Sequence, residues 1–256
     1  MGESDEAPGG ADERAAERAA ITALHERYLR EVVEELNLCP FARRSREQGR
    51  VERPLFDLRA GEVSAGACAD ALAEVSRANP AVEVVLLTFI TPPGHAWGDP
   101  EGFDLHVRAL RDAYEAAYQK PGRGPRYYMV AFHPAYTPRD PRRPITQDTL
   151  VPLIRRTPDP VIQCIRADLL DGFRKQAQAV AEARFRAEIA KLGPELQALL
   201  AHAVQPDPEL SSDIARSNYE SVGAGEGRED FERRIAGLLE ARRRIDRGDG
   251  DDDGDG

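Results

Sequence analysis

The chain has 256 residues, a formal net charge of −10 and an apolar fraction of 41%. Residues 1–14 carry a net charge of −4 and residues 246–256 a net charge of −5, so residues 15–245 carry only −1. This nearly neutral central part has no basic-aromatic motif, which argues against nucleic-acid binding. No apolar run approaches the roughly 20 residues of a membrane-spanning helix, and the N-terminus lacks the basic start and apolar stretch of a signal peptide.

Cysteine usage predicts the compartment. The three cysteines, Cys39, Cys68 and Cys164, are widely spaced and do not form the pattern of a disulfide framework. Cysteines that stay reduced are typical of a reducing environment, so we expect a cytoplasmic protein. The sequence identifies no cofactor, because no glycine-rich phosphate loop precedes a predicted helix. It leaves the oligomeric state open.

The predicted elements begin with an amphipathic helix over residues 15–38, where apolar residues recur at helical spacing. The others follow in this order: a short helix over 41–48, an irregular strand over 51–58 interrupted by Pro54, a helix capped by Ser64, a strand over 82–90, a helix over 103–118, a strand over 127–132, a short helix over 146–156, a strand over 161–165 and helices from residue 167 onward.

Strands that alternate with helices favour crossover connections. The sequence therefore predicts an α/β fold, with a mostly parallel sheet of about four strands flanked by helices and a helical C-terminal extension. The strands over 82–90 and 127–132 are nearly all apolar, so we expect them to be adjacent, parallel and central.

The domain organisation follows from composition. Both acidic ends lack apolar groups that could offset the entropy of ordering, so residues 1–14 and 246–256 are predicted to be disordered. Between them we expect an α/β domain over 15–167 and a helical extension over 168–245 that packs on it.

Cys39 is the first candidate for chemistry. If Pro40 begins a helix, Cys39 stands at its N-terminus, where free backbone N–H groups and nearby arginines favour a thiolate. We therefore expect a thiol pKa below the usual value of about 8.5. The alternative interpretation is a small buried hydrophobic residue between Leu38 and Phe41.

His133 is the second candidate, because it directly follows a buried strand, and sites gather at strand ends in α/β sheets. A thiol and an imidazole together allow an activated nucleophile, and a metal site or a capping role at the sheet edge remain alternatives. His25, His106 and His202 fall on predicted helices, where we expect them to face solvent or to be satisfied locally.

Two sequence motifs carry a resemblance to a known family. Residues 36–42 read Leu-Asn-Leu-Cys-Pro-Phe-Ala, and residues 131–136 read Ala-Phe-His-Pro-Ala-Tyr. Both resemble motifs of the bacterial domain of unknown function 1415 family. Looser similarities lie at residues 153–155 and 214–218. The family supplies no activity, but the resemblance implies that Cys39 and His133 are functional.

The resemblance and the residues together suggest one site. We expect Cys39 as a thiolate nucleophile or redox thiol and His133 as its base, on an enzyme that acts on an anionic small molecule. The residues expected to bind this molecule are Asn37, Tyr136, Arg155 and Asn218. The alternative is a small-molecule- or metal-binding accessory protein in which Cys39 and His133 are ligands.

This sequence departs from the family pattern in two places. Ala135 stands where the family motif has aspartate, so cooperation between a histidine and an aspartate at that position is not expected here. Residues 170–208 resemble a helical insertion, which we expect to cover the site or to mediate oligomerisation.

Overall fold

A computed structural model describes residues 9–137, 145–147, 149–191 and 210–248. Its elements, in chain order, are α1 (Gly9–Tyr28), a π-helical segment (Leu29–Glu34), α2 (Ala42–Glu47), β1 (Val51–Glu52), β2 (Leu55–Asp57), α3 (Ala65–Ala78), β3 (Val84–Ile90), a 3-10 turn (Ala96–Gly98), α4 (Pro100–Tyr114), a second π-helical segment (Glu115–Gln119), β4 (Tyr127–Phe132), α5 (Val151–Ile154), β5 (Val161–Arg166), α6 (Ala167–Ile189), α7 (Leu210–Val222) and α8 (Gly225–Arg247).

The five strands form one mixed sheet flanked by helices. β1 and β2 both pair with β3 in parallel, β5 pairs with β3 in antiparallel orientation, and β4 pairs with β5 at the far edge. Arg53 and Pro54 separate β1 from β2, since proline cannot donate to the strand ladder. The sheet edge is therefore irregular at the position that Pro54 predicts.

The prediction of a mostly parallel sheet was wrong. β3 and β4 do not pair with each other, because β5 lies between them and is antiparallel to both. The connection from β4 to β5 brings the chain back through short α5 instead of a long crossover helix, which allows an antiparallel neighbour. β4 consequently lies at an edge of the sheet, where alternate residues are only half buried.

One face of the sheet is covered by α3 and α4. Ser64 accepts a hydrogen bond from Ala67 N–H and begins α3, while Asp99 accepts from Glu101 and Gly102 N–H and begins α4. The core on this face consists of alternate strand residues and the apolar sides of both helices: Val85, Leu87, Phe89, Met129, Ile162, Cys164, Cys68, Leu72, Phe103 and Leu110.

The other face lies beneath α1 and its π-helical extension. The predicted first helix over 15–38 is α1 followed by residues Leu29–Glu34, and Asn37 in the left-handed region (φ 52°) follows it. Asparagine tolerates this conformation better than most residues. The C-terminal helices α7 and α8 pack on the outer side of the first helix, where Val222, Phe231 and Ile235 meet Leu24 and Val32 in a second core.

The chain ends differ in part from the prediction of disorder. α1 begins at Gly9, so residues 9–14 are helical, and α8 continues to Arg247. Residues 1–8 and 249–256 lie outside the described residues, as do residues 192–209 of the predicted helical insertion. Among the helices that the structure describes, none has the length and hydropathy to cross a membrane.

Candidate functional site

A cavity of about 250 Å³ lies between the sheet and the first helix. Alternate residues of three strands form its floor: Val84, Leu86, Val130, Phe132, Val161, Gln163 and Ile165. His25, Leu29 and Val33 cover it from the first helix. Most of these side chains are aliphatic or aromatic, as is typical of pockets for small molecules.

The pocket extends along the strands. His25, Leu29 and Val33 recur every fourth residue along the helix, which corresponds to about 12 Å at 1.5 Å per residue. On the floor, Val161 and Ile165 are four residues apart on β5, or about 13 Å at 3.3 Å per residue. The roof and floor residues therefore extend over similar lengths, and we call this pocket the channel.

Cys39 lies at one end of this channel, which we call the thiol end. Phe41 lines the pocket there and stacks on Phe173 of α6, the helix that follows β5, with ring centroids 3.9 Å apart. Arg44 reaches Glu83, which precedes β3, at 2.7 Å. The thiol end is thus where β5 ends and β3 begins.

The Cys39 thiol is half-buried. Burial raises its pKa above the usual cysteine value, while the nearby backbone N–H groups of Phe41 and Ala42 act to lower the pKa. The effect of burial is the larger one, so the predicted lowering of this pKa was wrong. Cys39 nevertheless lines the pocket, which favours a role at the site over packing alone.

Arg155 lies at the opposite end, which we call the arginine end. Its carbonyl accepts a hydrogen bond from His133 N–H directly after β4, and its side chain lines the pocket beside Ile154 and Thr157. Burial lowers the pKa of Arg155, while Tyr136 and the acidic Asp104 act in the other direction. Guanidinium groups remain charged at neutral pH even so. This end of the channel therefore contains a cationic side chain, with Asp104 within electrostatic reach of it.

A buried chain of hydrogen-bonded side chains supports the arginine end. His25 Nε2 lies 2.9 Å from Asp159 Oδ2, and Arg242 Nε donates to Asp159 Oδ1 at 2.7 Å. All three residues are less than a tenth exposed. Arg242 also pairs with Asp246 at 2.5 Å. His25, predicted to face solvent or to be satisfied locally, is instead buried, bonded to a distant aspartate and part of the pocket wall.

Tyr28 is a further buried residue of the wall with a polar group. It lines the pocket, and its hydroxyl is buried without a hydrogen-bond partner among the described residues. Burial raises the pKa of this phenol. A buried hydroxyl without a partner costs free energy, so Tyr28 marks a place where a bound molecule could supply the missing hydrogen bond.

The structure does not bring His133 to Cys39. Side chains alternate along β4, so Phe132 faces the pocket and His133 faces the core under α3 and α4. There His133 Nε2 donates to the carbonyl of Trp97 at 3.0 Å, and its Nδ1 accepts from Ala135 N–H at 3.1 Å. Burial lowers the pKa of His133. Both ring nitrogens are thus engaged on the opposite face of the sheet.

The remaining predicted binding residues are dispersed. Tyr136 donates from its hydroxyl to Asp104 at 2.6 Å beside His133. Asn37 is exposed in the turn before Cys39. Asn218 is buried on α7, with its Oδ1 unpartnered among the described residues. Only Arg155 of these four residues lines the pocket.

Metal binding finds no support in the described part of the chain, where no three histidine, cysteine or acidic side chains are grouped to hold an ion. One pocket residue, His25, and its hydrogen-bond partner Asp159 were missed by the sequence reasoning. His25 falls four residues after Ile21 on the buried stripe of α1, a signal that could have identified it. Asp159 carried no such signal, because its partners are far away in the chain.

Comparison with known proteins finds one relationship. A family model described as "Protein of unknown function (DUF1415)" matches residues 20–192, about two thirds of the chain. The matched segment includes the sheet and every residue that lines the pocket. No curated protein and no solved structure matches significantly.

Proposed function

The chain belongs to the DUF1415 family of proteins of unknown function, and from its pocket we propose that it binds an elongated, mainly apolar small molecule that carries an anionic group. The single observation that carries this proposal is the asymmetry of the channel. Its walls are apolar, and Arg155 provides a cationic group at one end only.

Arg155 suits an anion for a specific reason. It is half-buried, and within the described residues no carboxylate pairs with its guanidinium at salt-bridge distance. A partly desolvated guanidinium gains charge-assisted hydrogen bonds from a carboxylate or phosphate, and its planar fork binds either one with two bonds. The apolar walls then contribute through burial of the ligand's chain, at about 0.8 kcal/mol per methylene group.

A second candidate function concerns Cys39. The backbone N–H groups of Phe41 and Ala42 act to lower the pKa of its thiol, against the effect of burial, and this favours a thiolate once it forms. We therefore also propose that the protein is an enzyme in which Cys39 acts as a nucleophile or as a redox thiol. His133 is no longer its base, because that residue lies on the other face of the sheet. Three free cysteines also fit the cytoplasm as the proposed compartment.

The test is equilibrium binding of linear carboxylates from hexanoate to tetradecanoate, measured by calorimetry. We expect affinity to increase with chain length and then to fall, because the channel spans only about 12 Å. Val130→Trp fills the floor and should abolish binding, whereas Val130→Ala should retain it. An affinity that does not depend on the ligand's chain length, or binding that persists in the Val130→Trp variant, would contradict the proposal.

A further inference from the structure

The hydrogen bonds of Asp159 fix which nitrogen of His25 is the donor. Oδ1 of this carboxylate accepts from Arg242, and Oδ2 meets His25 Nε2. A carboxylate paired with arginine only accepts hydrogen bonds, so His25 Nε2 must be the donor. In the neutral imidazole the proton is then on Nε2, and Nδ1 carries a lone pair. In this neutral form the second nitrogen of His25, Nδ1, is a hydrogen-bond acceptor.

This acceptor belongs to the pocket. The His25 ring lines the channel at the arginine end, together with Arg155 and Thr157. Among the described residues, no group donates to His25 Nδ1. Thr157 cannot do so in its present conformation, because its hydroxyl donates to the carbonyl of Asp159 at 2.7 Å. The arginine end thus combines a cation for an acid group with a neighbouring acceptor that lacks a donor.

We propose that the ligand is a hydroxy acid, with a hydroxyl close to its acidic group, and that His25 is the residue that selects it. Arg155 binds the acid, Nδ1 of His25 accepts a hydrogen bond from the ligand's hydroxyl, and the apolar chain extends toward Cys39. Asp159 and Arg242 position the His25 ring at the pocket wall. This inference rests on the proposed function, because it assumes that an acid occupies the channel.

The test compares decanoate with 2-hydroxydecanoate and 3-hydroxydecanoate by calorimetry. One net hydrogen bond should make at least one hydroxy acid bind about three- to tenfold more tightly than decanoate. His25→Phe keeps a ring of similar shape but no acceptor, so it should remove this preference while decanoate still binds. Asp159→Asn keeps the shape and frees the ring to take either tautomer, so it should reduce the preference.

His106→Phe is the matched control. His106 is also a buried histidine on a helix, but it stacks on Trp97 on the other face of the sheet. It should change stability without changing the preference for a hydroxyl. Equal affinities for all three acids in the wild-type protein, or a preference that survives His25→Phe, would overturn the inference alone. Absence of binding by every acid would overturn the proposed function as well.

Discussion

The carbonyl of Arg155 accepts a hydrogen bond from the backbone N–H of His133 at 2.9 Å. The two residues are therefore joined at the end of β4, although the Arg155 side chain lines the pocket and the His133 ring is buried on the opposite face. His133 consequently supports the arginine end through the backbone, and its ring lies on the opposite face of the sheet from Cys39.

Replacing His133 should lower the stability of the fold but leave the reactivity of Cys39 nearly unchanged. His133→Ala removes a buried ring and leaves the Trp97 carbonyl without its partner. We expect a loss of about 2–4 kcal/mol in the free energy of unfolding, measured with urea. The rate of Cys39 alkylation in the folded protein should change less than about twofold, since its sulfur is on the other face. A large drop in that rate would contradict this expectation and support a functional pair of Cys39 and His133.

Cys39 should be a slow thiol that a ligand protects. Burial raises its pKa, so less thiolate is present near neutral pH than in a free cysteine. Alkylation by iodoacetamide should accelerate steadily above pH 8.5 and should slow when decanoate fills the channel. Cys39→Ser is the control and should show little alkylation. Burial raises the pKa of Cys68 to about 12, so that thiol should not react in its place. Fast alkylation at pH 7 would contradict this expectation.

Tyr28→Phe should stabilise the ligand-free protein. The hydroxyl of Tyr28 is buried without a partner among the described residues, so its removal ends a desolvation cost. We expect an increase of about 1 kcal/mol in the free energy of unfolding. Tyr114→Phe is the contrast, because that hydroxyl donates to the Pro125 carbonyl at 3.1 Å, and its loss should destabilise by a similar amount. Destabilisation by Tyr28→Phe would show that the hydroxyl has a partner.

Acid should weaken the junction between the first helix and α2. Arg46 donates to both oxygens of Glu34, at 2.6 and 2.9 Å, and these bonds lower the pKa of Glu34 despite its burial. A carboxyl group with a lowered folded pKa contributes stability above its unfolded pKa of about 4.3, and this contribution is lost as pH falls through the folded value.

Glu34→Gln tests this pair. We expect a loss of about 1–3 kcal/mol at pH 7, and a difference from the wild-type protein that shrinks progressively below pH 4. Glu31→Gln is the control, because Glu31 is an exposed partner of Arg27 one turn away and should have little effect. A difference that stays constant from pH 7 to pH 3 would mean that the pair does not titrate as stated.

Local signals predicted most elements of the fold, and tertiary pairing decided the rest. The apolar runs identified β3 and β4, Ser64 identified the start of α3, and Pro54 identified the irregular edge. The order of the strands was not predictable, because the insertion of β5 between β3 and β4 depends on the geometry of the whole connection.

The site was predictable only in part, for a geometrical reason. Cys39 and Arg155 both line the pocket. His133 does not, because one residue step along a strand moves a side chain to the opposite face. Phe132 therefore occupies the position in the pocket that His133 would need. His25 lies on the buried helical stripe of α1, which could have identified it. Its partner Asp159 is 134 residues away in the chain, so no local pattern links the two residues.

The central claim is that Arg155 holds the anionic end of a ligand in the channel. The most direct measurement compares the affinities of decanoate and the uncharged decanol for the wild-type protein, Arg155→Met and the matched control Arg156→Met, whose residue does not line the pocket. The account predicts that Arg155→Met weakens decanoate binding about tenfold to a hundredfold, as expected for a charged hydrogen bond, and leaves decanol and the control unchanged. Equal loss for decanoate and decanol, or no loss for decanoate, would contradict it.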